Sequence, residues 1–361
     1  MRADRPLAAR ALALTLALAL VIAPPAAAQR FAEPGDAAAG YAQARPDRPL
    51  RFPRDHGPHP AFRIEWWYLT ANLRDAEGRR YGAQYTLFRQ AAAPPPERAG
   101  WENRQIWLGH AALTTADRHF YAEKIARGGV GQAGATAAPF EAWIDDWRLG
   151  AETPETAGLS ALNLSAAGDG FGYDLRLTAE APPTPQGAGG YSLKSLRGQA
   201  SHYYSQPHFE VAGRLEIDGA AVEVTGRAWM DREWSSDWLQ ADQPGWDWVA
   251  VHFEDGAKLM AFRLRHADGA HYTSGNWIAG GVSTPLGPGA VRLTPLEPGP
   301  EADGRAAPTR WRIEAPSRGV DVETAPLNPA AWNGGVFPYW EGPISVAGSH
   351  AGEGYLEMTG Y

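Results

Sequence analysis

The stretch Gly226 to Trp238, GRAWMDREWSSDW, sets three acidic side chains and three tryptophans within thirteen residues. As a β-strand it alternates faces, with Trp229, Asp231 and Glu233 on one side and Met230, Arg232 and Trp234 on the other. A carboxyl group among indoles has two uses. Desolvated in an apolar pocket, it keeps its proton to near-neutral pH and can protonate an alkene, whose cation the indole faces then stabilise. Paired with Arg227 or Arg232, it only holds a strand in place. Spacing leaves both readings open.

Other chemistry-bearing residues carry weaker signals. Glu65, in EWWYLTANL, sits beside Trp66, Trp67 and Tyr68; Arg63 or Arg89 would give it a structural partner. In GWDW, Trp246 and Trp248 share a strand face, and Trp66, Trp229 and Trp246 would suit as walls around a cation. His56 and His59, in HGPH, are too few for a metal site without further ligands, so no metal and no cofactor is expected. Ser201, Ser205 and Ser235 lack the Gly-x-Ser-x-Gly turn of a serine hydrolase.

The elements that must position these residues read as strands. Forty-one Gly, thirty Pro and fifteen Trp among 361 residues suit many short strands joined by turns, and no sustained 3.6-residue periodicity is present. Phe62 to Leu73 alternates and turns back at Asp75 to Gly78 into RYGAQYTLFRQ, a hairpin pattern. Glu254 to Gly256 and Ala267 to Gly269 mark two more hairpin turns. An all-β chain of this length implies two domains. The expected division is a lead-in over 29–54, a first domain over 55–218 and a second over 219–361.

Residues 1–28 read as a cleavable signal peptide. Arg2, Arg5 and Arg10 precede an apolar run of thirteen residues interrupted only by Thr15, Ala11 to Ala23, followed by Ala26-Ala27-Ala28. The run falls short of the roughly 20 residues that span a bilayer. Cleavage after Ala28 would remove three Arg and one Asp and leave 333 residues at net charge −10. The acidic balance argues against nucleic acid as a partner. Zero cysteines in an exported chain point to a periplasmic or secreted protein stabilised by its core, with no stable membrane insertion after cleavage.

Four segments together, EWWYLTANL, HYYSQPHFEVAGRLEIDG, GRAWMDREWSS through GWDWVAVHFEDGAKLMAFRLR, and the closing GYLEMTGY, resemble the AttH-like secreted proteins, relatives of the carotenoid 1,2-hydratases (hydroxyneurosporene synthases). The resemblance covers residues 55–361. It implies two lipocalin-like antiparallel β-barrel domains packed together, with the characteristic residues around a pocket where they meet. It also implies that Asp231 stands where the hydratases place the acid that protonates a terminal isoprenoid double bond before water captures the cation. His202 and Tyr204 match the upstream His and aromatic of that pattern, and Trp229 matches the aromatic two residues before the acid. The expected function is therefore binding of a small apolar, isoprenoid-like molecule among Trp229, Trp66, Trp67, Tyr68, Glu65, Trp246 and Trp248. Hydratase (hydro-lyase) catalysis by Asp231, His202 and Tyr204 would follow from it. The alternatives are a non-catalytic carrier of a lipophilic ligand and an accessory protein to an export system, with a transporter as partner.

Overall fold

The computed structural model describes residues 39–237, 239–301 and 304–361. The signal peptide and cleavage site expected in 1–28 lie outside the described residues, as does the lead-in up to residue 38. The regular structure of the described chain is antiparallel strand, apart from three-residue 3₁₀ turns at Arg54–His56, Gly100–Glu102 and Pro316–Arg318. Among the described residues no helix is long and apolar enough to cross a membrane.

The strands form two curled sheets, consistent with two lipocalin-like barrels. The first has 13 strands. Its path runs from His119–Arg127 through Gln105–Thr114, Arg80–Ala91 and Ile64–Arg74 to Ala220–Ser235. It continues through Ala200–Ile217, Phe171–Ala179, Ala161–Gly168, Trp147–Ala151 and Phe140–Ile144 to Ala133–Ala137. The sheet closes over one core that takes in Phe120 from one end and Phe140, Ile144 and Trp147 from the other. The second sheet has 10 strands, with Gly245–Phe253 beside Gly352–Thr359 and Tyr339–Gly348 at its centre, over its own core of Val249, Trp311, Trp340 and Ile344.

The border expected between 218 and 219 falls inside a hairpin. Asp218 and Gly219 have φ of 51° and 80°, the pair of positive values that a two-residue turn between twisted strands requires. Ala200–Ile217 and Ala220–Ser235, on either side of that turn, both belong to the first sheet. The change of sheet comes between Ser235 and Gly245. An Asp-Gly turn punctuates strands as a linker does, which is why composition put the border there.

A third apolar cluster joins the two bodies. Tyr68, Tyr203 and Trp229 from the outer face of the first sheet pack with Trp248, Phe262 and Tyr355 from the second. Gly82 permits this approach: a Cβ there would lie 2.5 Å from the Tyr355 hydroxyl and 2.6 Å from the Pro343 ring. The strand Ile64–Arg74 thus serves both sides. Trp67, Leu69 and Leu73 fill the first core, while Tyr68 faces the second domain.

Candidate functional site between the two sheets

Three adjacent strands set the geometry. Asp231 lies opposite Tyr68 of Ile64–Arg74 on one side and Ser205 of Ala200–Ile217 on the other. Opposed residues share a face, so Asp231, Tyr68 and Ser205 all look toward the second domain. Asp231 is buried, at 2% exposure. The Tyr203 hydroxyl donates to Oδ2 at 2.5 Å, and the Ser205 hydroxyl and Trp229 Nε1–H donate to Oδ1 at 2.5 and 2.6 Å. Second partners orient those hydroxyls: Gln186 donates to Ser205 at 2.8 Å, and Trp248 Nε1–H donates to Tyr203 at 3.2 Å. With a lone pair engaged on each oxygen, both hydroxyl protons are directed at Asp231.

The arginines that could have neutralised Asp231 are engaged elsewhere, Arg227 by Glu210 at 3.2 Å and Arg232 by Glu65 at 2.5 Å. Among the described residues no ion pair reaches Asp231. Burial therefore pushes its carboxyl up, against the three hydrogen bonds that favour the anion, to about 7.

Two further acids stand across the interface. Glu341 accepts the Tyr68 hydroxyl at 2.5 Å and an Asn333 amide proton at 3.1 Å. Glu357, opposite both Trp248 and Glu341 in the second sheet, accepts Trp246 Nε1–H at 2.5 Å. Burial and the Glu357 charge push Glu341 well above the carboxylate range. Desolvation, with the charges of Asp231 and Glu233 and against the Trp246 hydrogen bond, lifts Glu357 to about 7. Like charges so placed in a low dielectric do not all ionise, so the group holds protons at neutral pH and titrates as a set.

Aromatic rings wall the acids: Trp248 meets Tyr68 edge-on at 5.2 Å and 83°. Trp66, Trp246 and Leu239 pack at the margin, each partly exposed, and Glu357 is partly exposed beside them. This margin is the solvent-facing side of the site. A cleft of about 150 Å³ lined by Trp147, Tyr173 and Arg214 lies elsewhere on the first domain and shares none of these residues.

Of the expected site residues, Asp231, Trp229, Tyr68, Trp66, Trp246 and Trp248 come together here, and four do not. His202 and Tyr204 lie opposite Trp234 and Arg232, on the inner face of the sheet. Tyr204 is hydrogen-bonded to His56 Nδ1 at 2.7 Å, and His202 packs edge-on against Phe62 at 5.8 Å. Strand alternation forbids their reaching Asp231; their neighbours Tyr203 and Ser205 hold the positions in contact with it. Glu65 and Trp67 are on that inner face too. Glu65 pairs with Arg89, the structural partner open to it in sequence, and with Arg232. Against burial, those two charges hold it well below the usual range. The Arg232 guanidinium lies 3.7 Å above the Trp67 ring. The two histidines of HGPH join the same inner network: His59 stacks on Trp234 at 3.9 Å and contacts Asp55 and Glu65. Among the described residues no cluster of three or more potential ligands could hold a metal.

Sequence reasoning missed Tyr203, Ser205, Glu341 and Glu357. The two glutamates had a signal, an acid inside an apolar strand in YWEGPI and GYLEMT. Tyr203 and Ser205 had none, because the register set at the turn by Ile217 and Ala220 would put Gln206, and with it Tyr204 and His202, on the face of Asp231, and only the bulge between Gln206 and Phe209 brings Ser205 opposite it instead.

The AttH-like family profile matches residues 43–361. The chain belongs to the AttH-like family. A crystal structure of an AttH candidate from Nitrosomonas europaea is 32% identical to this AttH-like chain, covers 89% of it and 99% of its own length, and superposes with a TM-score of 0.78. Kievitone hydratase from Nectria haematococca, at 14% identity, covers 89% of this chain and 96% of its own, with a TM-score of 0.65. CghA in complex with Sch210972, at 13% identity, covers 91% and 97%, with a TM-score of 0.50. The last two share the fold. No curated protein sequence matches the chain.

Proposed function

We propose that this AttH-like protein is an acid–base catalyst that adds water across a carbon–carbon double bond of an apolar, isoprenoid-like molecule, with Asp231 as proton donor. One observation carries the reading. A buried carboxyl is held by three neutral donors, without a cation, in an aromatic wall shared with two further acids. A structural ion pair needs none of this. Alkene protonation needs an acid that keeps its proton near neutrality, which burial without a cation supplies here against the three donors, π faces for the cation that forms, and a second carboxyl to take the proton that water loses on attack.

Trp229, Trp248 and Tyr68 supply the faces, and Glu357, at the solvent-facing margin, is placed to activate water. The name of kievitone hydratase, which shares the fold, supports the same reaction class. The filled interiors of both sheets speak against a ligand held within either barrel, as a carrier would hold it. From the signal-peptide pattern in residues 1–28 we infer that the reaction belongs to the periplasm or the outside of the cell.

The test offers acyclic terpenoid alkenes to the purified protein in D₂O and follows deuterium and hydroxyl incorporation by mass spectrometry. Wild type is expected to give the alcohol with one carbon-bound deuterium. Asp231→Asn is expected to lose roughly 10²- to 10⁴-fold in rate, the usual contribution of a general acid. Equal rates in the two proteins would remove Asp231 from the chemistry. A lipophile co-purifying with an inert wild type would favour a carrier.

A further inference from the structure

Behind Glu341, on the side away from Trp66 and Trp246, polar groups continue outward through the first domain. Tyr339 stands two residues before Glu341 on Tyr339–Gly348 and so on the same face of that strand, where its hydroxyl acts on the Glu341 carboxyl; it lies 2.9 Å from His110 Nδ1. His110 Nε2 is 3.2 Å from Glu123 Oε2. His110, Tyr339 and Glu341 are buried, whereas the Glu123 side chain keeps 16% of its surface in solvent. The row crosses the domain interface: His110 and Glu123 stand on Gln105–Thr114 and His119–Arg127 of the first sheet, Tyr339 and Glu341 on Tyr339–Gly348 of the second.

From this row we infer a proton relay, Glu123 to His110 to Tyr339 to Glu341, that connects solvent to the rear of the candidate site. Every member can both accept and release a proton at the atoms that face its neighbours. Burial, opposed by the Glu123 carboxylate, lowers the His110 pKa. The ring is therefore neutral near pH 7, with one nitrogen donating and the other accepting, as transfer through it requires. Tyr339 has one proton and two acceptors, His110 Nδ1 and Glu341, so its rotation decides which end of the row is served.

For inward transfer the Glu123 carboxylate first takes a proton from solvent and passes it to Nε2, Nδ1 gives its proton to the Tyr339 oxygen, and the Tyr339 hydroxyl gives its own to Glu341. Each bond made is matched by one broken, and the imidazole changes tautomer. Outward transfer reverses every step. A hydration takes up one proton and returns one in each cycle, so the two directions alternate and the tautomer resets without a ring flip.

The relay deepens the hydratase reading and rests on it for its purpose. An apolar substrate at the Trp66 and Trp246 margin would cover Glu357, leaving the rear as the way in and out for protons. The charged and titratable groups that act with Glu341 are Glu357, Tyr339 and Tyr355 from its own sheet and Tyr68, Tyr121 and Tyr173 from the first. His119 reaches it through Asn333, by contacts of 2.9 and 3.1 Å. Tyr121, 3.3 Å from Glu123, faces the outer end.

The test needs no substrate. Nitrogen-15 NMR of ¹⁵N-histidine-labelled full chain reports the His110 tautomer, assigned by its loss in His110→Gln. Across the pH range in which the interfacial carboxyls titrate, the wild-type His110 nitrogens are expected to change. The change should survive in Glu123→Gln and be lost in both Tyr339→Phe and Glu341→Gln. Its persistence in Tyr339→Phe, or a wild-type ring that ignores pH, would overturn the relay. The alkene assay reads the other proposal separately, since a coupled His110 in a protein that hydrates nothing sinks only the hydratase reading.

Discussion

At Asp231 the decisive balance is between desolvation and hydrogen bonding. Three donors lower its pKa and burial raises it; burial wins and leaves the group near 7. Removing one donor tips the balance further. Tyr203→Phe deletes the hydroxyl that donates to Oδ2, and a hydrogen bond to a charged group contributes about 1.5–3 kcal/mol. The expected result is an Asp231 pKa higher by roughly 1–2 units. An acid catalyst works while protonated, so the alkaline limb of the kcat profile should move to higher pH by that amount. An unmoved limb would mean that another group sets it.

At the scale of elements, the hairpin of Ala200–Ile217 and Ala220–Ser235 divides its chemistry by parity in the half beyond the bulge between Gln206 and Phe209. Odd positions 203, 205 and 231 face the partner domain, and even positions 202, 204, 232 and 234 face the inner ionic network of Glu65, Arg89 and His59. Ile64–Arg74 is divided the other way, Glu65 and Trp67 inward and Tyr68 outward. The site then depends on how closely the two sheets meet. Gly82→Val would drive methyl groups into Tyr355 and Pro343. Overpacking of this kind costs about 1–3 kcal/mol, and here it forces the sheets apart. Urea unfolding should show that loss, and near-UV circular dichroism of the interfacial tryptophans should weaken. A variant within about 0.5 kcal/mol of wild type, the range of neutral surface changes, would show that the interface yields easily.

Over the whole molecule, two groups of buried acids act oppositely on stability. Asp55 and Glu65, in the first barrel, titrate below their ordinary values. Burial would raise them, but His59 and Arg48 overcome it at Asp55, as Arg89 and Arg232 do at Glu65. The stability they add is present above the unfolded pKa near 4 and lost as pH falls through the lower folded values. Asp231 and Glu357 titrate at about 7. There the unfolded chain binds fewer protons than the folded one between about pH 4 and 7, so stability declines as pH rises across that window. Against that decline, burial lowers the pKa of His56, His110, His119, His202, His208 and His252, so these six bind fewer protons folded than unfolded below about pH 6.5 and outweigh the two acids. Melting temperature is therefore expected to rise with pH to about 6–7, and Asp231→Asn, which removes one opposing group, should steepen that rise between about pH 4 and 7. A variant curve parallel to wild type would contradict the assignment.

Much of this protein is legible before it folds. Period-two alternation and turn residues specify antiparallel sheets, since a strand can bury only every second side chain. The pairing of Trp229 with Asp231 on one face follows from that rule alone, and the resemblance carried by WMDREW and GYLEMT led to the family. The inner and outer faces of a barrel strand look alike in sequence, however, because both are buried here. His202 and Tyr204 therefore seemed as available to Asp231 as Tyr203 and Ser205. Only register across the hairpin separates them. Likewise, nothing local tells Glu341 or Glu357 that they stand opposite Asp231, more than a hundred residues away in the chain. Those contacts belong to the packing of one sheet on the other, and that packing sets the protonation of all three acids.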